Sequence, residues 1–308
     1  MGAVGIGIDI GGTMIKYGLV DIQGQLVWAS EKPTEANVSK ERVITNVLEA
    51  VNEVLRASES KGLNVKSVGI GSPGLVNDSS VILGGADNIK DWKHVALGEI
   101  VSGKTNLFTK VCNDADAMAM AEFKLNCNEN DTVVFITLGT GIGGAIFING
   151  TPFQGHYGLG GELGVLPIIV GETHCYWEDI ASTSALVKLY KKKLGTDIAL
   201  PNINGKYIVD QYQKGDKIAK KTLQIFIDYV AMGLAGYVNI FNPKAIIIGG
   251  GLSESEVNFM EDIKKQVEKY AIKECFYGVD ILPARLGNQA GLIGAALNGL
   301  DQYNKVLV

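Results

Sequence analysis

The stretch Val4 to Asp21, VGIGIDIGGTMIKYGLVD, constrains the chain more than any other. Val4 to Ile8 is an apolar run that reads as a buried strand, and Asp9 ends it. Gly11 and Gly12 permit a tight reversal, because glycine takes positive φ at little cost. Met14 to Val20 then reads as a second strand running back beside the first. Such a turn is expected to present the backbone N–H groups of Gly11, Gly12 and Thr13 as an anion cradle. Asp9 stands where a carboxylate could hold a metal ion through water beside a polyphosphate. Thr13 adds a hydroxyl and Lys16 a positive charge. Taken alone, the stretch fits a plain β-hairpin as well as it fits a phosphate loop.

The same design recurs. After Val20 the Gln23-Gly24 turn leads to a third antiparallel strand, Gln25 to Ser30. Thr132 to Phe153 repeats strand, glycine turn, strand, short turn, strand. Val133 to Leu138 is the apolar strand, Gly139-Thr140-Gly141-Ile142-Gly143-Gly144 the turn and Ala145 to Ile148 the return, followed by the hairpin dipeptide Asn149-Gly150. Two phosphate-type hairpins at the starts of two similar domains favour the phosphate reading over the plain turn, and the pair could face each other across a cleft. A length of 308 residues suits two domains, since single cores stop growing near roughly 250 to 300 residues.

Between and after the hairpins the chain alternates strands and helices. Ser39 to Ser60 is expected to be helical, with Val43, Val47, Val51 and Val54 on one face. Val65 to Ile70 is a short buried strand closed by the shaped loop Gly71-Ser72-Pro73-Gly74. Phe108 to Cys112 is another, followed at once by Asn113-Asp114 and a helix from Ala115 to Leu125. Asp114 therefore falls at a helix N-terminus and a strand end, where α/β proteins place their chemistry. Later segments read as helices at Glu178 to Leu194, at Asp216 to Phe241 with Asp216 as cap, at Glu254 to Ala271 with Ser253 as cap, and at Gln289 to Leu300. Ala245 to Ile248 and Val279 to Leu282 read as strands.

Composition narrows the function classes. A net charge of −5 argues against a nucleic-acid or anionic-membrane surface. No basic segment precedes an apolar one at the N-terminus, so no signal peptide is expected. No apolar run reaches the 20-residue class needed to span a bilayer. Cys112, Cys127, Cys175 and Cys275 show no paired spacing, which suits a reducing cytoplasm.

With these residues on the page, the chain resembles the ROK (repressor, open reading frame, kinase) sugar kinases of the actin/hexokinase/Hsp70 superfamily. DIGGT at Asp9 to Thr13 resembles that family's first phosphate motif and GTGIGG at Gly139 to Gly144 its second. NDADA at Asn113 to Ala117 resembles the catalytic segment, GLGGELG at Gly158 to Gly164 the sugar signature, and IIIGGG at Ile246 to Gly251 the adenosine motif. The resemblance implies an α/β, two-domain actin-like ATPase (ribonuclease H-like) fold, with duplicated βββαβαβα units around a central cleft. The smaller domain is expected to hold residues 1–112 plus 288–308 and the larger 113–287. Sugar binding would then close the two domains.

The resemblance further implies transfer of the ATP γ-phosphoryl group to a hexose hydroxyl, usually at C6 and of glucose in the leading reading. Asp114 would be the general base, Mg²⁺ would bridge the ATP phosphates, and Asp9 would reach the ion through water. ATP contacts are implied for Asp9, Gly11, Gly12, Thr13, Lys16, Gly139, Thr140, Gly141, Gly249 and Gly250. Sugar contacts are implied for Gly74, Asn88, Asn113, Asp114, Glu162 and Glu178. A homodimer is common in the family. Zinc-containing members follow the sugar signature with a histidine and three cysteines. Here Val165 stands in the histidine's place and only His174 and Cys175 follow, so structural zinc is not expected. The missing histidine is also a sugar ligand in those members, which keeps N-acetylhexosamine and β-glucoside kinases open. A sugar-responsive repressor is a reading from another class. It is disfavoured by the acidic charge, by retention of Asp114 and by a chain that starts at the first strand. An actin-like filament or chaperone ATPase is disfavoured by the sugar signature and the short length.

Overall fold

The computed structural model describes residues 2–195, 203–251 and 259–307. In chain order its elements are β1 (Ala3–Ile10), β2 (Met14–Asp21), β3 (Leu26–Pro33), α1 (Lys40–Ser60), β4 (Asn64–Ser72), β5 (Leu75–Val76), β6 (Ile82–Gly84), α2 (Leu97–Thr105), β7 (Phe108–Asn113) and α3 (Asp114–Asn126). There follow β8 (Val133–Leu138), β9 (Ile142–Ile148), β10 (Thr151–Pro152), β11 (Pro167–Val170), β12 (Thr173–Tyr176), α4 (Glu178–Ala181), α5 (Thr183–Leu194), α6 (Gly205–Gln213) and α7 (Lys217–Phe241). The chain ends with β13 (Ala245–Gly249), α8 (Phe259–Tyr270), α9 (Lys273–Phe276), β14 (Asp280–Pro283) and α10 (Ala290–Val306).

Two five-stranded sheets carry the fold, ordered β3-β2-β1-β4-β7 and β10-β9-β8-β13-β14. In each, the first three strands are antiparallel and the last two join in parallel. The α/β class and the duplicated plan expected from the sequence are thus observed in strand order and strand sense alike. By contacts the chain divides into two compact units. One is Met1–Asn128 with Gln154–Gly160 and Asn288–Val308, and the other is Glu129–Phe153 with Gly161–Gly287. Residues 113–128, which the expected boundaries gave to the larger domain, group here with the first unit, because α3 packs on α10 and β4.

In the first unit one side of the sheet is aliphatic and the other is nearly bare. Ile6, Ile8 and Ile10 cluster with the α1 face Val43, Val47, Val51 and Val54, all fully buried. Ser39 is the α1 N-cap and accepts a hydrogen bond from Arg42 N at 3.2 Å. The opposite side is floored by glycines. A Cβ on Gly69 would stand 1.7 Å from Ala295 O, and one on Gly7 2.1 Å from Leu292 O. The backbone of α10 therefore rests directly on β1 and β4. It meets α3 just as closely, since a Cβ on Gly294 would lie 1.6 Å from Ala117 O.

The second unit is built around α7, whose Phe226, Val230, Leu234 and Val238 belong to a core shared with β8 and β13. Asp216 caps α7, accepting from Ala219 N at 2.6 Å. At 25 residues α7 is long and apolar enough to cross a bilayer by length and composition, a property missed in the sequence, but its apolar face is spent on this core. The expected helix Glu178 to Leu194 is in fact two. Ser182 breaks it with extended geometry and caps α5 through Ala185 N, the competition that serine offers the helical backbone. The β11–β12 hairpin, turned at Gly171 with φ 64°, occupies the stretch after the sugar signature. It was not foreseen, nor were the short α2 and α6. Ser253 and the start of the helix placed at Glu254 lie outside the described residues.

Candidate active site

The first unit gathers most of the expected site residues at the ends of its central strands. Asp9, next to last in β1, pairs with Lys16 of β2 on one side and Gly71 of β4 on the other. Asp9 is 8% exposed, and no group among the described residues donates a hydrogen bond to its carboxyl. It lies against the first turn of α10, where a Cβ on Gly291 would come within 2.7 Å of its Cγ. Burial pushes the Asp9 carboxyl up to about 6; Lys16 partly offsets this and Asp114 adds to it. Lys16 also donates to Asn288 O at 3.2 Å.

Asp114 opens α3. Its Oδ1 accepts the Ala115 N–H at 2.9 Å, and no side chain among the described residues donates to the carboxyl. Burial holds its pKa above the ordinary carboxylate range, against the lowering effect of the Ala115 and Asp114 backbone N–H groups. Gly71 makes room for it, because a Cβ there would meet Ala117 Cβ at 3.1 Å and Asp114 Cα at 3.7 Å. Asn113 is the true N-cap, accepting from Ala115 N at 2.8 Å while its Nδ2 donates to Gly74 O at 3.0 Å. Asn113 therefore ties the Gly74 loop to the start of α3.

The Gly11–Thr13 turn corrects the expected cradle by one donor. Gly11 N–H closes the turn onto Met14 O at 2.9 Å, leaving the N–H groups of Gly12 and Thr13 with no acceptor among the described residues. Thr34, which the sequence reading passed over, braces this turn: its Oγ1 donates to Gly11 O at 2.6 Å and its N–H to Thr13 O at 2.9 Å. Asn88 lies beside the turn, its Nδ2 3.1 Å from where a Gly12 Cβ would stand. Trp92, four residues on, is buried and donates from Nε1 to Ser72 Oγ at 2.9 Å, fixing the loop that carries Gly74.

The second unit brings together the other glycine motifs. In the β8–β9 turn Gly139 N–H closes onto Gly141 O at 3.0 Å, and the N–H groups of Thr140 and Gly141 take no acceptor among the described residues. Gly249 pairs with Thr137, and Gly250, at φ 102°, packs so tightly on β8 that a Cβ would lie 2.3 Å from Leu138 O. Thr183, also missed in the sequence, anchors the turn by donating its N–H to Gly139 O at 2.9 Å and its Oγ1 to Leu138 O at 3.2 Å. Beside the turn opens a cavity of about 920 Å³, lined by Gly139, Thr140, Ser184, Lys206, Asp210 and Gly251 among others. Glu178, at the start of α4, points its carboxyl at the same turn. Glu162 precedes a short 3₁₀ turn, Leu163–Val165, which Tyr237 holds through a hydrogen bond from its hydroxyl to Leu163 O at 2.5 Å.

The arrangement has two chemical capacities. Each hairpin turn offers adjacent backbone N–H donors to an anion. The Asp9 and Asp114 carboxyls supply acceptors without side-chain donors, one suited to a hard cation with its waters and one to a hydroxyl proton. No group of three or more histidine, cysteine or acidic side chains able to hold a metal occurs among the described residues. His174 and Cys175 are neighbours on β12, and successive strand side chains point to opposite faces.

The profile of the ROK family matches residues 5–300. A glucokinase of Streptomyces coelicolor is 32% identical over 312 aligned positions, covering 94% of this chain and 96% of that one. The crystal structure of a ROK family glucokinase from Streptomyces griseus, in complex with glucose and AMPPNP, is 31% identical. It superposes with a TM-score of 0.79 over 97% of this chain and 99% of that one. A xylose repressor of Caldicellulosiruptor bescii is 26% identical, over 94% of this chain and 76% of the repressor.

Proposed function

The chain belongs to the ROK family, and on that premise we propose that it is an ATP-dependent hexose kinase whose first substrate to test is glucose, phosphorylated at C6. The observation that carries this reading is Asp114: a half-buried carboxyl of raised pKa at a helix N-terminus, close enough to Asp9 for their charges to interact, with no side chain among the described residues donating to it. A sugar hydroxyl delivered there meets an acceptor for its proton as the new P–O bond forms.

Around that base each residue takes a role. Asn88, Asn113 and the Gly74 backbone hold sugar hydroxyls, and Glu162 and Glu178 accept from the ring hydroxyls. Gly12 and Thr13, with Thr140 and Gly141, offer N–H groups to the phosphates, while Gly11 and Gly139 shape those turns. Gly249, Gly250 and the adjoining cavity take the nucleoside. Lys16 keeps a positive charge beside Asp9. Bound Mg²⁺ offsets the charge of the ATP phosphates, and Asp9, buried with unused lone pairs, is the residue that would hold it, directly or through water. Val165, 41% exposed where zinc-containing members have a histidine, leaves room for a substituent at C1. That keeps N-acetylhexosamines and β-glucosides in the substrate panel. The reading also places the protein in the cytoplasm, where ATP and sugar substrates are available.

The test is a panel of sugars with ATP and Mg²⁺, read by ADP release and product mass. A hexose carrying one added phosphoryl group, with ADP formed in equal amount, is expected. Sugar binding without ADP release for any member would instead favour a sugar-responsive regulator.

A further inference from the structure

We infer that Glu178 is a positioning residue for the nucleotide: its carboxylate sets the second phosphate turn through the backbone of Ile142. This rests on the reading that Gly139–Gly141 meets ATP phosphates, and gives Glu178 a task distinct from any contact with sugar. Its Oε2 accepts the Ile142 N–H at 3.0 Å. The same oxygen lies 2.6 Å from where a Cβ on Gly141 would stand, so the carboxylate fills the space beside the turn. The Thr183 N–H and hydroxyl hold its incoming arm at Leu138 and Gly139, and Thr137 Oγ1 accepts the Gly143 N–H at 3.1 Å farther along the outgoing arm. Glu178 holds the outgoing arm at Ile142, next to the Gly141 donor. The donors left over, Thr140 N–H and Gly141 N–H, sit between the two anchored arms.

The carboxylate is itself firmly aimed. Trp177, 1% exposed, donates from its indole to Tyr229 O at 2.9 Å. It lies so close to α7 that a Cβ on Gly233 would come within 2.1 Å of its ring. Its N–H donates to Leu166 O at 2.9 Å, and the Glu178 carbonyl accepts from Ser182 N at 3.2 Å. An acceptor fixed at both ends of its short helix lowers the ordering cost of a loop that must receive phosphate oxygens in one geometry.

The test is ADP affinity by calorimetry without sugar, on the full chain, for wild type, Glu178→Gln and Glu178→Ala, with melting temperature recorded alongside. Glutamine still accepts from Ile142 N–H, so its ADP affinity should stay within about twofold of wild type. Alanine should weaken ADP at least about fivefold while the protein remains folded. ADP affinity within twofold of wild type in Glu178→Ala, or equal losses in both variants, would overturn the inference. Should Glu178→Ala fail to fold, Gly141→Ala serves, because its added Cβ collides with the carboxylate. It should weaken ADP similarly, and an unchanged affinity would again refute the role. A wild-type protein that binds no ADP would instead remove the kinase reading itself.

Discussion

Asp114→Asn separates chemistry from architecture at this site. Asparagine keeps the size and an Oδ1 that accepts the Ala115 N–H, now held at 2.9 Å, while Asn113 Oδ1 takes the same N–H at 2.8 Å. The α3 cap therefore survives. Partial desolvation disfavours the Asp114 carboxylate as a charge, which is why its pKa lies above the ordinary range, so a neutral amide at this place should leave the melting temperature unchanged or raise it. An amide cannot take the hydroxyl proton at neutral pH. General-base assistance contributes about 10²- to 10⁴-fold in rate, equivalent to about 2.7 to 5.4 kcal/mol of barrier, and kcat should fall by at least that much. Nucleotide affinity should hold, because the turn N–H groups are untouched. In the wild type the base works only when ionised, so activity should be full above its raised pKa and lost as the pH falls through it. The assay is kcat from ADP release across pH, with calorimetric ADP affinity and melting temperature on the same preparation. Turnover within about tenfold of wild type, or a rate loss matched by a fall in melting temperature, would refute the reasoning.

Asp9→Asn should stabilise the protein in chelator. The wild-type carboxyl rises from 3.8 to about 6 on folding, so stability is fully present below the lower value and declines as pH rises through the upper one. The cost at pH 7 is up to about 3 kcal/mol, and the variant should flatten melting temperature against pH between these values. No gain in chelator would count against the burial argument. Gly69→Ala inserts a methyl where Ala295 O now sits 1.7 Å from the would-be Cβ. Overpacking of this kind costs about 1 to 3 kcal/mol or more, a fall of roughly 2 to 12 °C at about 2 to 4 °C per kcal/mol, and an unshifted transition in calorimetry would contradict it. Metal analysis after mild chelation should give zinc far below one per chain; stoichiometric zinc would mean that His174 and Cys175 find partners after all.

What was legible in the sequence was whatever depends on near neighbours. The two glycine turns, their flanking strands and the position of Asp114 at the start of α3 all follow from patterns a few residues wide. What was not legible depends on partners brought from afar. Thr34 reaches Gly11 across 23 positions and Glu178 reaches Ile142 across 36. Neither pairing leaves a mark on local periodicity. The break at Ser182 had a readable signal, a serine-threonine pair inside a helical run, but the flanking apolar spacing outweighed it. The N–H inventory of the first turn was overcounted because such turns close on themselves: Gly11 bonds back within three residues, as Gly139 does in the second turn. The β11–β12 hairpin was read only as a failed metal run, although Gly171 between two β-prone stretches was the available sign.

The glycine floor under α10 gives the chain an order in time. On a ribosome, β1 emerges long before α10, the helix that covers its glycine side. At roughly 5 to 20 residues per second, the side of the sheet carrying Asp9 waits about 15 to 60 seconds for its cover. Most of the second unit, Glu129–Phe153 and Gly161–Gly287, is made in that interval and can settle around α7 while the earlier-made unit stays open. The half that begins first therefore matures last, and nascent chains halted before Ala290 should hold a finished second unit beside a protease-sensitive first one.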